Sequence, residues 1–324
     1  MEDLFWKRIN YKGTLKEISE IICRDYDLGE FILSNLVLVG YEDFNFFLKT
    51  TNGKYFVKIF ASFRTLEDCK RYIKIVEAAI KSGVSTPKLL KSNQSDFHII
   101  ELESNKLRLC VMDYIEGDNL YNLNKSLNNE EVRFLAGQAA LINSIDIKPY
   151  LIYDPWAITN FLKEFEQKSG YFSSEDLQLV KPLVKDFKKL QINKLPQSFV
   201  HGDIIVTNVL KDKNNKLWII DFSVSNVYPR IQELAVLACN LLFNSKDKYA
   251  SEKNLEIALE EYQKTIKLTS QELSSLQTYI KLAHAMHVLS ANYEKVSKKN
   301  ISKENEYWLQ QGRLGIKQMM LTKN

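Results

Sequence analysis

Residues 14–27 (TLKEISEIICRDYD) place Leu15, Ile18, Ile21 and Ile22 at helical spacing behind Thr14, a side chain suited to an N-cap. This pattern predicts a helix. Between 31 and 60 the period changes to short apolar or alternating runs, FILSNLVLVG, NFFLKT and KYFVKIF, with Thr51-Asn52-Gly53 marking a hairpin turn. These runs are predicted antiparallel strands. Over 65–82 a helical stripe returns through Cys69, Ile73, Val76 and Ile80 and stops at Gly83. Two further strands are predicted at 97–102 and 107–113, joined through Ser104-Asn105. Beyond Gly117 the pattern is helical to the end, except for strand-like patches at 198–201, 206–211 and 217–222.

Composition changes this picture little. A chain of 324 residues has room for two lobes, each with its own core, and 45% hydrophobic with 26% charged residues is the balance of a folded, water-soluble protein. The formal charge of +4, from 44 basic and 40 acidic residues, is spread along the chain, which argues against a nucleic-acid partner. Lysine-rich stretches at 181–194 and 295–303 read as solvated helix faces and loops. Cysteines 23, 69, 110 and 239 have no metal-like spacing and fit buried thiols in a reducing compartment. The opening MEDLFWKRINYKG lacks the apolar stretch of a signal peptide, and no later run approaches the ~18 apolar residues of a membrane span. A cytoplasmic location without a membrane partner is therefore expected.

The chemistry concentrates in SFVHGDIIVTNVLKDKNNKLWIIDFSVSN, residues 198–226. Asp203 follows a short strand, Asn208 comes five positions later, and LKDKNNKLWII is a predicted hairpin turning on Asn214-Asn215 that returns Asp221 beside Asn208. Phosphoryl transfer from a nucleotide needs such a set. Mg²⁺ takes oxygen ligands, and one amide oxygen with one carboxylate, Asn208 and Asp221, hold it against phosphates. A second carboxylate apart from the metal, Asp203, is then the base for the acceptor's hydroxyl proton.

HGDxxxxN followed by IDF resembles the aminoglycoside phosphotransferase superfamily, which includes choline kinases and type II homoserine kinases. The resemblance implies an α+β, two-lobed protein-kinase-like fold, with an antiparallel sheet in an N-lobe of residues 1–113 and a mainly helical C-lobe of 114–324. It also implies a nucleotide site for ATP or GTP. Lys58, in the strand YFVKI, is similar to the family's phosphate-contacting lysine. In kinases a Glu from the next helix holds that lysine, and the position of Glu77 beside the apolar stripe makes it the candidate, although the family's usual acidic position falls near Tyr72 or Ile73. The loop VGYEDFN, with Gly40 and Asn45, is expected over the phosphates. CVMDYIEG is similar to the family's hinge at about 112–117, so that Met112 lines the adenine pocket while the Asp113 carbonyl and Ile115 amide bond the base.

YPRIQELAVLACNLLF, residues 228–243, follows the Asp221 motif directly and leaves no room for the long regulatory segment of a protein kinase. The leading expectation is thus a Mg²⁺-dependent kinase acting on a hydroxyl of a small molecule, an amino alcohol of the homoserine or choline type or an aminoglycoside-type antibiotic. A catalytically inactive pseudokinase that binds nucleotide is the alternative, and a protein kinase the third. For the acceptor, Glu252, Glu256, Glu260 and Glu261 offer carboxylates and Tyr279, Tyr293, Tyr307 and Trp308 offer aromatic rings, though solvated helix and core packing explain them equally. His284 and His287, three apart, read as packed helix positions rather than a metal pair.

Overall fold

The computed structural model describes residues 2–37, 43–93, 97–102 and 105–320. The chain forms two compact units, Met1–Gly117 with Asp212–Ile220, and Asp118–Lys211 with Asp221–Asn324.

In the first unit a short helix α1 (Glu2–Ile9) precedes the expected one, α2 (Leu15–Asp25), where the Thr14 hydroxyl accepts from the Glu17 N–H at 3.2 Å. Strands β1 (Phe31–Leu36), β2 (Phe44–Thr50) and β3 (Lys54–Ile59) follow, then helix α3 (Leu66–Lys81) and strands β4 (His98–Leu102) and β5 (Asn105–Asp113). All pairings are antiparallel in the order β1-β2-β3-β5-β4. The alternation seen in the sequence has a plain physical result on β2, where Phe44, Phe46 and Leu48 face inward and join Ile18 and Ile22 of α2, Phe5 of α1 and Val57 and Ile59 of β3 in one core. Each such side chain contributes about 1.5–3 kcal/mol on burial.

The chain continues through β6 (Gly117–Asn119), α4 (Leu120–Leu123), α5 (Asn129–Asn143), α6 (Phe161–Lys168), α7 (Ser174–Lys189), β7 (Gln197–Val200), β8 (Val209–Asp212), β9 (Leu217–Ile219) and β10 (Asn226–Pro229). Then come α8 (Ile231–Leu237), a π-turn at Ala238–Leu242, α9 (Lys248–Thr265), α10 (Ser270–Ser297) and α11 (Lys303–Met320). In the second unit β7 pairs with β10, Val200 opposite Asn226, a strand too short to show an alternating pattern in the sequence. Asp176 of α7 takes both Nε and Nη2 of Arg313 of α11 at 2.7 Å and Nδ2 of Asn292 of α10 at 2.9 Å, tying three helices at one buried carboxylate. Gly315 lets α11 approach α10, since a Cβ there would lie 2.1 Å from the His284 ring.

The hairpin turns where expected, with Asn215 at φ +63° and the Asp212 N–H donating to the Lys216 carbonyl at 2.9 Å. Its second strand is bound within the first unit: the Ile219 N–H donates to the Ser85 carbonyl at 2.7 Å, and the Ser85 hydroxyl to the Leu217 carbonyl at 2.7 Å. The expected division at 113/114 therefore differs from the compact units, because residues 114–117 and 212–220 go with the first. Among the described residues no helix is long and apolar enough to cross a membrane.

Candidate active site

In the second unit, β7 delivers His201, Gly202 and Asp203 into a tight loop. Gly202 sits at φ +81°, a conformation that L side chains rarely adopt, and this lets the chain turn between the buried His201 and the half-buried Asp203. The Asp203 N–H donates to Nδ1 of His201 at 3.2 Å, which assigns the histidine proton to Nε2, and the imidazole packs on Phe222 at 4.4 Å between ring centroids. Asn208 closes the loop, its Nδ2 donating to Oδ2 of Asp203 at 2.6 Å and to the Asp203 carbonyl at 3.1 Å. With the amide nitrogen so engaged, the Asn208 side chain has its oxygen to offer elsewhere.

Asp221 returns to the same place. It adopts φ +65°, made tolerable by an Asx-type turn in which Oδ1 accepts from the Ser223 N–H at 3.3 Å and from Ser223 Oγ at 2.5 Å. The gathering of negative charge is visible in Asp203, whose carboxyl is pushed up to about 8 by burial and by the charges of Asp154, Asp221 and Glu233, against the hydrogen bond from Asn208. A divalent cation relieves that repulsion, and the Asn208 amide and Asp221 carboxylate are hard oxygen donors of the kind Mg²⁺ takes. Among the described residues no group of three or more His, Cys, Asp or Glu is arranged to hold an ion alone.

Two acidic residues of this site were missed in the sequence. Glu233, fully buried on α8, accepts from the His201 N–H at 2.5 Å, the Gly202 N–H at 3.3 Å and Asn143 Nδ2 at 3.4 Å, and burial lifts it to about 7 against those bonds. Its signal was a charge at the head of the apolar run LAVLACNLLF, since an acidic residue is almost never fully buried without partners. Asp154 is buried and accepts from the Trp156 N–H at 2.8 Å. Nothing in the sequence around it distinguishes it from a turn residue.

Aromatic rings run from this loop. The Tyr121 N–H donates to the Val206 carbonyl at 3.0 Å, and ring centroids then connect Tyr121 to Tyr307 at 5.1 Å, Tyr307 to Trp308 at 4.9 Å, Trp308 to His287 at 5.0 Å and His287 to Trp156 at 6.3 Å. The path closes on Asp154 beside Asp203. His287 and His284 are buried on α10, and burial keeps both imidazoles neutral, lowered to about 4 and about 3. Of the other acceptor-side candidates, Tyr279 is fully buried core and Glu252 and Glu256 are exposed on α9.

In the first unit Lys58 lies on β3, directly opposite Asn45 of β2 and Cys110 of β5, and is buried. Its Nζ is 3.0 Å from Oδ2 of Asp43 and 5.2 Å from the centroid of the Tyr72 ring. Glu77 is exposed on α3. Asn45 carries a buried Oδ1 with no hydrogen-bond partner among the described residues, and Gly40 lies outside the described residues. Met112 is buried on β5 opposite Phe56, Asp113 ends that strand opposite Tyr55, and Ile115 follows half-buried.

An antiparallel sheet with one buried strand lysine, together with a helical unit carrying an HGD loop and its two oxygen donors, defines a protein-kinase-like phosphotransferase. The profile of the phosphotransferase enzyme family (APH) matches residues 36–262, and the chain belongs to that family. No curated protein sequence matches. Among solved structures, the fold is similar to an amicoumacin kinase in complex with AMP-PNP and Ca²⁺, at 16% identity and TM-score 0.66, covering 95% of this chain and 97% of that one. It is also similar to a choline kinase from Streptococcus pneumoniae, at 16% identity and TM-score 0.63, covering 93% and 99%. A microcompartment-associated aminopropanol kinase matches at 11% identity and TM-score 0.70, covering 93% and 95%. At these identities the likeness is one of fold.

Proposed function

We propose that this phosphotransferase moves the γ-phosphoryl group of ATP, or GTP, to the hydroxyl of a small amine-bearing alcohol, with Mg²⁺ as cofactor. The observation that carries the reading is the convergence of Asp203, Asn208 and Asp221 in one acidic, half-buried site of a chain belonging to this family. Asn208 and Asp221 hold the cation, which when bound neutralises charge on the phosphates. Lys58 contacts the phosphates, and the 112–117 segment receives the base. Asp203 accepts the acceptor's hydroxyl proton as the new oxygen–phosphorus bond forms and the bond to the nucleoside diphosphate breaks. A carboxylate whose basicity lies near the working pH suits that task.

The amine-bearing acceptor is supported by the half-buried rings of Tyr121, Tyr307 and Trp156, whose faces attract a cation, and by Asp154, whose charge acts on Asp203. The short path from Asp221 to α8 through β10 favours a small acceptor over a peptide. The test is incubation of the purified chain with γ-labelled ATP, Mg²⁺ and cell extract, followed by separation of labelled metabolites from labelled proteins. A labelled amino-alcohol phosphate is expected, and Asp203→Asn lowers its formation by about 10²–10⁴ while nucleotide still binds. Label confined to protein, or an undiminished rate in Asp203→Asn, sinks the reading.

A further inference from the structure

The two histidines of α10 differ in how their imidazoles are satisfied. Nδ1 of His284 lies 3.2 Å from Cys239 Sγ, a buried partner. His287 is 8% exposed, and its Nδ1, fully buried, meets no hydrogen-bond partner among the described residues. The exposed part of this side chain therefore lies elsewhere on it. An unmade N–H is rarer in a buried place than an unused lone pair, because the desolvated donor has no other outlet. The imidazole accordingly carries its proton on Nε2, and burial, which lowers the group to about 4, keeps it neutral. Its ring is also fixed in place. It packs edge-on to Trp308 at 5.0 Å and to Trp156 at 6.3 Å between centroids, and its Cβ faces Gly312 of α11, where an added methyl would come within 3.0 Å.

A single N–H donor is thus held between two tryptophans, on the aromatic path that leaves the HGD loop. Among the described residues neither ring nitrogen of His287 is hydrogen-bonded. An ammonium, itself a donor, has no use for it, whereas an oxygen does. We propose that His287 is a specificity-determining residue that donates from Nε2 to a second oxygen of the acceptor, so that the molecule phosphorylated carries a further hydroxyl or carboxylate beside its amine and its reacting hydroxyl. The proposal rests on the reading of this site as that of an amine-bearing alcohol. Trp156, one of the rings offered to the ammonium, is the ring His287 packs against, and Asp154 accepts from the main-chain N–H of the same tryptophan at 2.8 Å. The reading narrows to hydroxy amino acids and amino polyols. Choline and ethanolamine, whose one oxygen is the one that reacts, are set aside, because a site built around a buried donor rejects the analogue that leaves it unmade more strongly than one that lacks a methylene.

The experiment measures kcat/KM of the full chain, with ATP and Mg²⁺ in excess, for alcohols matched in amine and reacting hydroxyl. Homoserine is set against propanolamine, which lacks its carboxylate, and serinol against alaninol, which lacks its second hydroxyl; choline and kanamycin complete the set. In the wild type the member carrying the second oxygen is expected to exceed its partner by about 10–100-fold in at least one pair, the effect of one buried donor left unmade. The pair that shows it tells carboxylate from hydroxyl. His287→Phe keeps a ring and removes the donor, and is expected to erase the preference within that pair. His287→Gln, whose amide nitrogen comes near the place of Nε2, restores part of the preference, which a packing role alone would not produce. Where kanamycin alone turns over, its kcat/KM is expected to fall by about 10–100-fold in His287→Phe and to recover in part in His287→Gln. Equal rates within both pairs, choline as the best acceptor, or a preference that persists in His287→Phe overturns the proposal and leaves the amine-bearing alcohol reading intact. Turnover of no alcohol in the set sinks that reading, and the proposal with it. Should His287→Phe fail to fold, the wild-type pairs and His287→Gln decide, since an undiminished preference in the wild type that His287→Gln shifts toward the partner supports the contact and an unshifted one refutes it.

Discussion

Replacing Glu233 by glutamine keeps the shape of the side chain and removes its charge. The wild-type carboxylate accepts from the His201 and Gly202 N–H groups and from Asn143 Nδ2, the first at 2.5 Å. A glutamine has one acceptor oxygen and presents an NH₂ in place of the other, so one main-chain N–H of the loop before Asp203 faces a donor. A buried donor left unmade costs about 1–3 kcal/mol. The loop escapes that cost by shifting, and a displacement of about 1 Å at a catalytic group costs about 100-fold in rate. Glu233→Gln is therefore expected to lower kcat by about 10–100-fold while the KM for ATP stays near wild type. The pH dependence supplies a second readout. Glu233 is raised to about 7, above its ordinary value, so its contribution to stability is complete at pH below that ordinary value and is lost as pH rises through 7. Across that window the wild type loses on the order of 3 kcal/mol that the glutamine variant, having no proton to release, retains. Steady-state kinetics and chemical denaturation of both proteins at pH 5 and pH 8 measure the two effects. A wild-type kcat in Glu233→Gln, or an identical pH 5 to pH 8 difference in both proteins, refutes the reasoning.

Asp221→Asn is expected to raise the Mg²⁺ concentration needed for half-maximal turnover by about 10–100-fold, read from a magnesium titration, with excess chelator abolishing wild-type turnover. Gly315→Ala forces a methyl to within 2.1 Å of the His284 ring, so α10 and α11 must separate or the ring must move. A loss of about 1–3 kcal/mol is expected in thermal denaturation. Asp43 is held low, at about 2, so its ion pairs contribute stability that is present above the ordinary carboxylate range and lost as pH falls toward 2. Asp43→Asn is expected to flatten the acid limb of the wild-type denaturation profile.

Much of the site was legible because it is local in the chain. Asp203, Asn208 and Asp221 lie within one stretch whose strand, loop and hairpin are each encoded by neighbouring residues, and the turn at Asn214-Asn215 forms as its residue types dictate. The five-stranded sheet was legible for the same reason, since alternation on β2 and the hairpin into β3 fix face and register together. What escaped reading depends on distant parts of the chain meeting. Asp43 stands immediately before β2 and Lys58 on β3, and the buried Asp43 carboxylate is also held by Arg64 Nε and the Ala61 N–H from the turn after β3. Glu233 serves the HGD loop only once α8 is folded against the His201 and Gly202 N–H groups, and Asp154, whose charge acts on Asp203, comes from an irregular stretch between α5 and α6 that carries no period. The short α1 and β10 went unforeseen because segments of their length show too few repeats for a period to emerge.

The hairpin has a consequence for how this protein can be taken apart. Its second strand belongs to the first compact unit, yet it is written in the gene between Asn208 and Asp221, both in the second. A fragment ending at 117 would therefore leave the Ser85 carbonyl without the Ile219 N–H that it accepts from. A fragment beginning at 118 would keep β9 paired with β8 but leave the Ile219 N–H and the Leu217 carbonyl without their Ser85 partners, an unpaired edge of the kind that promotes aggregation. Neither half is a module that recombination could exchange by a single cut, so Asn208 and Asp221 are inherited together with the piece of the first unit that lies between them.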